Sequence, residues 1–149
     1  MRNPIGPPVG SPVGSPVELH VVAGVLRDER RRVLIAQRPA DKHMGGYWEF
    51  PGGKIALGES AEAALARELE EELGITLRRC HRLLRLQHEY PDRSVELDVL
   101  IVEDYEGVPV GLEGQALKWV QTEELGQEAL LPADRPIVEA LVASAEVAA

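Results

Sequence analysis

The sequence predicts an α+β fold, a mixed β-sheet held between helical layers. Three features carry that expectation. Short runs rich in Val, Ile and Leu recur between turn residues, a Ser-capped helical stretch lies over residues 60–73, and a second helical pattern of apolar residues lies near the end of the chain. Strands interrupted by two separated helices suit a sheet covered on both faces.

The elements follow in order. Residues 1–17 contain Pro4, Pro7 and Pro8 and repeat Gly-Ser-Pro-Val at 10–13 and 14–17, which predicts a flexible or polyproline-like extension without a catalytic role, ahead of one domain over 18–145. Glu18–Arg27 and Arg32–Gln37 read as a β-hairpin around the polar Asp28–Arg31 turn. Residues 38–46 form a loop, Tyr47–Phe50 a short strand, and Pro51-Gly52-Gly53 a tight turn that uses glycine freedom. Ser60 is a good N-cap for a helix running to Leu73, where Gly74 suits a left-handed terminus. His81–Glu89 and Ser94–Glu103 read as a second hairpin across Pro91-Asp92-Arg93, with Val95, Leu97, Val99 and Ile101 alternating with Glu96 and Asp98 over part of it. Ala116–Gln121 is a further strand and Thr122–Leu125 one helical turn. A last helix is expected from about Asp134 to Ala145, its apolar side formed by Ile137, Val138, Leu141 and Val142.

At 149 residues the chain fits one domain with a real core. Its 44% hydrophobic and 28% charged residues are ordinary for a soluble protein. A net charge of −9 argues against a groove for a nucleic acid polymer, which needs clustered Lys and Arg. Cys80 is the only cysteine, so no internal disulfide can form and a reducing cytoplasm fits. No apolar run approaches the ~18 residues of a membrane helix, and the apolar core of a signal peptide is missing from the N-terminus. The expected protein is a cytoplasmic monomer that binds a free small molecule.

The central helix bears the chemistry. At about 100° per residue, Glu68, Glu71 and Glu72 fall within an arc of roughly 100°, beside an apolar stripe of Leu65, Leu69 and Leu73. Like charges three or four apart destabilise a helix by a few tenths of a kcal/mol per pair. Arg67 offsets only part of this against Glu68, Glu70, Glu71 and Glu72. A hard divalent cation such as Mg²⁺, which takes oxygen ligands and bridges to phosphates, would justify the arrangement; a solvated acidic face is the plain alternative.

Gly53, Glu59, Arg67, Glu68, Leu69, Glu71, Glu72, Gly74 and Ile75 fill, without a gap, a pattern that resembles the Nudix box. Residues 21–26, 36–44, 48–54, 90–93, 113–115 and 131–134 are similar to segments of MutT-type Nudix hydrolases in the same order, so the resemblance covers about residues 18–142. It implies a Nudix α/β/α sandwich with a mixed β-sheet. It also implies Mg²⁺-dependent cleavage of nucleoside triphosphates to monophosphate and pyrophosphate, with Mn²⁺ a possible substitute. Namesake members of the family remove oxidised guanine nucleotides such as 8-oxo-dGTP.

The resemblance implies roles residue by residue. Glu71, Glu72 and the carbonyl of Gly52 would ligate metal, and Glu68 would be a ligand or the base that activates water. Glu113, distant in the chain, matches an acid that reaches the same metals, or else is a solvated loop acid. Glu59 and Arg67 would orient the acids, and Lys54 would meet a phosphate oxygen or the leaving pyrophosphate. The substrate-binding set is Arg38, His43, Glu49, Phe50, Pro51, Gly52, Tyr90, Arg93 and Asp134, with Phe50 and Tyr90 equally readable as core or rim residues. His20, His81 and His88 lie in strand-like runs with no partner at metal-ligand spacing and are expected to have no such role, and Glu70 points away from the acidic face.

Asp134 departs from the pattern. The 8-oxoguanine-selective relatives carry Asn there, which can accept from N7–H and donate to O6 of the oxidised base in one bidentate contact. An ionised Asp only accepts and would suit the N4 amino group of cytosine, whereas burial could keep it protonated and restore the donor. It could also simply cap the last helix. The sequence therefore points first to a hydrolase that sanitises 8-oxo-dGTP and second to one acting on (d)CTP or a modified cytosine nucleotide. A non-catalytic Nudix nucleotide-binding module stands third, because such modules usually break the carboxylates retained here.

Overall fold

The structure, a computed structural model, describes residues 17–148. Of the extension expected over 1–17, all but Val17 lies outside the described residues, and Val17 already opens the first strand. The chain runs β1 (Val17–Leu26), β2 (Val33–Gln37), β3 (Trp48–Glu49), β4 (Gly52–Lys54), α1 (Ala61–Leu73), β5 (Thr76–Tyr90), β6 (Arg93–Glu106), β7 (Leu117–Val120) and α2 (Arg135–Ala148), with 3₁₀ turns at Thr122–Gln127 and Pro132–Asp134. A four-stranded sheet has the order β4-β1-β6-β5, and a three-stranded sheet the order β3-β2-β7. The larger sheet is mixed, because β1 runs parallel to β6 while the other pairs are antiparallel.

The two sheets form one layer between the helices. Val22 and Leu26 of β1, Leu34 of β2 and Leu100 of β6 pack with Ala64, Leu65, Leu69 and Leu73 of α1. Their neighbours Ala23, Val25, Val33, Ile35, Val99 and Ile101 point the other way, into a core with Ile137, Val138 and Leu141 of α2. This period-two division sends alternate residues of each strand to opposite faces. The result is the α/β/α sandwich.

The α1 termini follow the expected local chemistry. The Ser60 side chain accepts from the Ala63 N–H at 3.0 Å, and Gly74, at φ 71°, closes the helix by donating to the Glu70 carbonyl. Three expectations are corrected. β1 and β2 are not a paired hairpin; they touch at the Arg27–Val33 bridge and then enter different sheets. Both edges of β1 are already taken, one by β4 and the other by β6, so β2 must pair elsewhere. The expected turn at Pro51–Gly53 is instead the start of β4, antiparallel to β1. A Cβ at Gly52 would lie 1.9 Å from the Val22 carbonyl oxygen, so only glycine lets the strands come this close. The second hairpin is longer than its apolar alternation suggested, because register shifts in β5 let polar residues continue the ladder.

Leu69 is fully buried beneath α1, while Glu70 beside it is exposed. Leu69→Ala should lower the unfolding free energy by about 2–5 kcal/mol, whereas Glu70→Ala should change it by less than ~0.5 kcal/mol. Denaturant titration checks this; equal midpoints for the two variants would contradict the docking of α1.

Candidate active site

Four carboxylates converge where α1, β4 and two loops meet. Burial pushes Glu72 up to about 9, reinforced by a hydrogen bond with Glu68 and by the negative charges of Glu68, Glu113 and Glu49. Gly53 makes the approach of β4 to the helix possible: a Cβ there would stand 2.4 Å from the Glu68 carboxyl. Glu71, with 57% of its side chain exposed, lies 3.7 Å from Arg67 Nη1. Among the described residues, no three acid, His or Cys side chains stand together in a ready ligand set as they lie. The donor chemistry nevertheless fits a hard divalent cation, since the charges of Glu68, Glu113 and Glu49 act on Glu72 and the Gly53 backbone lies against Glu68.

Arg67 organises this acid group. Its Nε donates to Glu59 Oε2 at 2.9 Å, Nη2 to Glu59 Oε1 at 2.9 Å and to the Lys54 carbonyl at 3.0 Å, and Nη1 to Glu68 Oε2 at 3.0 Å. These donors, with the Ala56 N–H, hold Glu59 down near 2, and Arg67 itself is raised. The guanidinium therefore joins the loop before α1 to the acid it must aim.

A cavity of about 470 Å³ opens beside the acids. Of the expected site residues, Arg38, Glu49, Phe50, Gly52, Lys54, Glu72, Glu113 and Asp134 line it. Glu59, Arg67, Glu68 and Glu71 lie behind or beside this lining. Pro51, His43, Tyr90 and Arg93 are not among its lining residues either. The Pro51 carbonyl accepts from Gly24 N–H at 2.8 Å, and the His43 carbonyl accepts from Arg38 Nε at 2.9 Å. Tyr90 meets the His88 ring edge to face at 4.5 Å between centroids, and the Arg93 guanidinium lies over the Tyr90 ring at 5.8 Å.

Lys42 and His88 line the cavity although neither was expected to, together with Leu86, Val95 and Leu97. The signal was present in the hairpin register: Leu86 faces Leu97 and His88 faces Val95, so the alternation already visible in β6 carries across to β5.

The cavity is walled in part by a buried acid. Asp134 is 7% exposed, and its Oδ2 accepts from the Phe50 N–H at 3.1 Å. Its carboxyl thus faces β3–β4 and is not simply a surface helix cap. Burial lifts it to about 7, with the Glu49 charge adding to the rise and the Phe50 N–H and Arg38 opposing it. Glu49 is also raised by burial, against the pull of Arg38, whose Nη1 donates to it at 3.0 Å.

Comparison with known proteins agrees with this geometry. Residues 22–140 match the NUDIX domain family. The chain is 40% identical over 124 residues to the 8-oxo-dGTP diphosphatase of Escherichia coli K12, covering 83% of this chain and 96% of that one. It is 41% identical over 125 residues to the CTP pyrophosphohydrolase of the same organism, covering 84% and 92%. The solution structure of the E. coli ORF135 protein superposes with a TM-score of 0.79 at 39% identity, over 92% of this chain and 94% of that one. With its acids, glycines and α/β/α layers in these positions, the chain belongs to the NUDIX domain family.

Proposed function

We propose that this protein is a Mg²⁺-dependent nucleoside triphosphate pyrophosphohydrolase that removes 8-oxo-dGTP from the nucleotide pool. The observation that carries the reading is a cavity lined by Glu72 and Glu113, with Glu68 bonded to Glu72 behind them, and by the buried Asp134. The first place suits a triphosphate with its metal, and the second suits a base. The E. coli diphosphatase similarity supports the same substrate.

Glu68, Glu71, Glu72 and Glu113, with the Gly52 carbonyl, would hold the metal. When bound, Mg²⁺ neutralises phosphate charge and lowers the barrier to attack by water. Lys54, Arg38 and Lys42 line the same cavity and would meet phosphate oxygens. Glu68 ligates or accepts the proton of the attacking water; in either role Arg67 fixes the direction of its carboxylate. Phe50, Leu86, Val95, Leu97 and Leu131 supply apolar walls for a purine ring. A protonated Asp134 can donate from its second oxygen to O6 while Oδ2 remains engaged by Phe50.

A second reading, (d)CTP or a modified cytosine nucleotide, is favoured by a different state of the same residue. An ionised Asp134 accepts from N4–H, and the E. coli CTP pyrophosphohydrolase is as similar in sequence as the diphosphatase. Comparing kcat/KM across canonical and oxidised triphosphates separates the two readings.

Three predictions test the proposal. Glu72→Gln keeps the side-chain size and removes a charge at the reacting phosphates, so turnover at saturating Mg²⁺ should fall at least ~10²-fold. The exposed Glu70→Gln should leave it nearly unchanged, and equal rates in both would remove Glu72 from the site. Hydrolysis in ¹⁸O-water should label pyrophosphate and leave the monophosphate unlabelled, as attack at the β-phosphorus requires. Label in the monophosphate would mean attack at the α-phosphorus, and orthophosphate as the product would contradict the reaction altogether.

The third concerns pH. Asp134 is raised in the fold from an ordinary value of 3.8 to about 7, so the native state holds a proton that the unfolded chain has already lost. Its contribution to stability therefore declines as pH rises from about 4 to about 7, and Asp134→Asn should abolish that decline. The same proton supplies the donor to O6. The kcat/KM ratio of 8-oxo-dGTP to dCTP should fall as pH rises through about 7 in the wild type and stay flat in Asp134→Asn. Taking the ratio cancels groups that serve both nucleotides, notably Glu49, Arg38, Lys42 and His88. At pH 8 the Asn variant should favour 8-oxo-dGTP by roughly 5- to 150-fold more than the wild type, the value of one bidentate base contact. An unchanged ratio would deny Asp134 a role in reading the base.

A further inference from the structure

Glu113 reaches the acid group from a loop far away in the chain, so something must fix that loop to α1. The last carbonyls of a helix lack partners within the helix. Here the Glu72 carbonyl accepts from Leu112 N–H at 3.0 Å, and the Leu73 carbonyl accepts from Val110 N–H at 3.0 Å. Leu112 also packs over Gly74, which closes the helix. One side chain completes the junction. Gln115 Nε2 donates to the Glu72 carbonyl at 3.2 Å, and its Oε1 accepts from the Glu113 N–H at 2.9 Å. A neutral amide of this length offers a donor and an acceptor for these two groups without having to hold a proton. Gly111 lies against the same residue: a Cβ there would be 2.2 Å from the Gln115 carbonyl oxygen.

We propose that Gln115 is a positioning residue that locks the backbone of Glu113 to the backbone of Glu72 and so sets the distance between two acids of the metal-binding group. The two carboxylates belong to different elements, and the amide joins them through the Glu113 nitrogen, one bond from its Cα, and the Glu72 carbonyl oxygen, two bonds from its Cα. It is tight where it must be, because a small shift of the loop would carry the Glu113 carboxylate away from the others. The inference rests on the metal-binding reading of Glu72 and Glu113.

The test uses the full chain and two variants, Gln115→Ala and the length-preserving Gln115→Met. Mn²⁺ binding to the free protein, followed by electron paramagnetic resonance, should weaken by ~10-fold in both, as for other residues that orient metal ligands. The Mg²⁺ concentration for half-maximal turnover should rise by a similar factor, with nucleotide KM at saturating Mg²⁺ within ~2-fold of wild type. Hydrogen exchange should show the Glu113 amide losing protection while amides in the middle of α1 keep theirs. In a Glu113→Gln background the Gln115 substitutions should add nothing to the loss of Mn²⁺ affinity. Additive losses, unchanged Mn²⁺ binding, or unfolding of the Met variant would each overturn the positioning role. Wild-type turnover in Glu72→Gln would instead bring down the hydrolase reading on which it rests, whereas an inactive Glu72→Gln beside silent Gln115 variants would remove the positioning role alone.

Discussion

Repulsion between carboxylates held together at one end of α1 is the constraint around which this fold is arranged. Two unit charges 4 Å apart repel by about 4 kcal/mol at an effective dielectric of 20. Glu72 lies within reach of the charges of Glu68, Glu113 and Glu49, which add to the larger effect of its burial. The hydrogen bond between Glu72 and Glu68 joins only one pair of these acids. α1 is fixed by Leu65, Leu69 and Leu73 in the core, β4 by its ladder with β1, and the Glu113 loop by hydrogen bonds to the end of α1. Apolar burial and backbone pairing do the holding, which leaves the carboxylates directed at whatever cation enters.

Arg67 has a narrower role within this arrangement. A cation among the acids could neutralise them and remove the reason for a metal to bind. Its donors are divided among Glu59, Glu68 and the Lys54 carbonyl, and Glu59 takes two of them. Glu59 thus shares the charge that Glu68 would otherwise receive alone. Glu68 takes one Arg67 donor and shares a hydrogen bond with Glu72, which together set the direction of its carboxyl. Glu59, held near 2, stays ionised throughout the working pH range and keeps Arg67 in position.

Local signals made some of this legible in the sequence, and tertiary pairing hid the rest. α1 could be read to its ends because Ser60, Gly74 and the leucine stripe act within the helix itself. The acid group could be anticipated on the helix from spacing, while Glu113 came only through resemblance, since nothing in residues 107–116 says which carbonyls the loop will meet. The separation of β1 from β2 was hidden because edge occupancy is a property of the whole sheet. Asp134 shows the same division. Its residue type is equally good as a helix cap, and only the folded chain turns its carboxyl toward the Phe50 N–H. His88 was passed over for want of metal-ligand spacing, yet it lies on the cavity wall, paired in register with Val95.

The two ends of the cavity place opposite demands on one chain. On the proposed reading the acid end holds a cation among oxygens that ionise as it binds, and Glu72, pushed up to about 9 mainly by burial, is the acid that most needs it. On the same reading the Asp134 end discriminates, and discrimination grows when a polar group is removed from water and its unmatched partners are left unpaired. Arg38 stands between them and is largely committed to structure: Nε binds the His43 carbonyl, Nη1 binds Glu49, and its backbone bonds Tyr47 and Gly46. By tying the 38–46 loop to β3, it places Lys42 at the cavity while balancing the charge on Glu49. In a chain of net charge −9, long-range electrostatics repel a nucleotide. Recognition must then depend on short-range contacts, for which Arg38 is held in place by its bonds to Glu49 and to the His43 carbonyl.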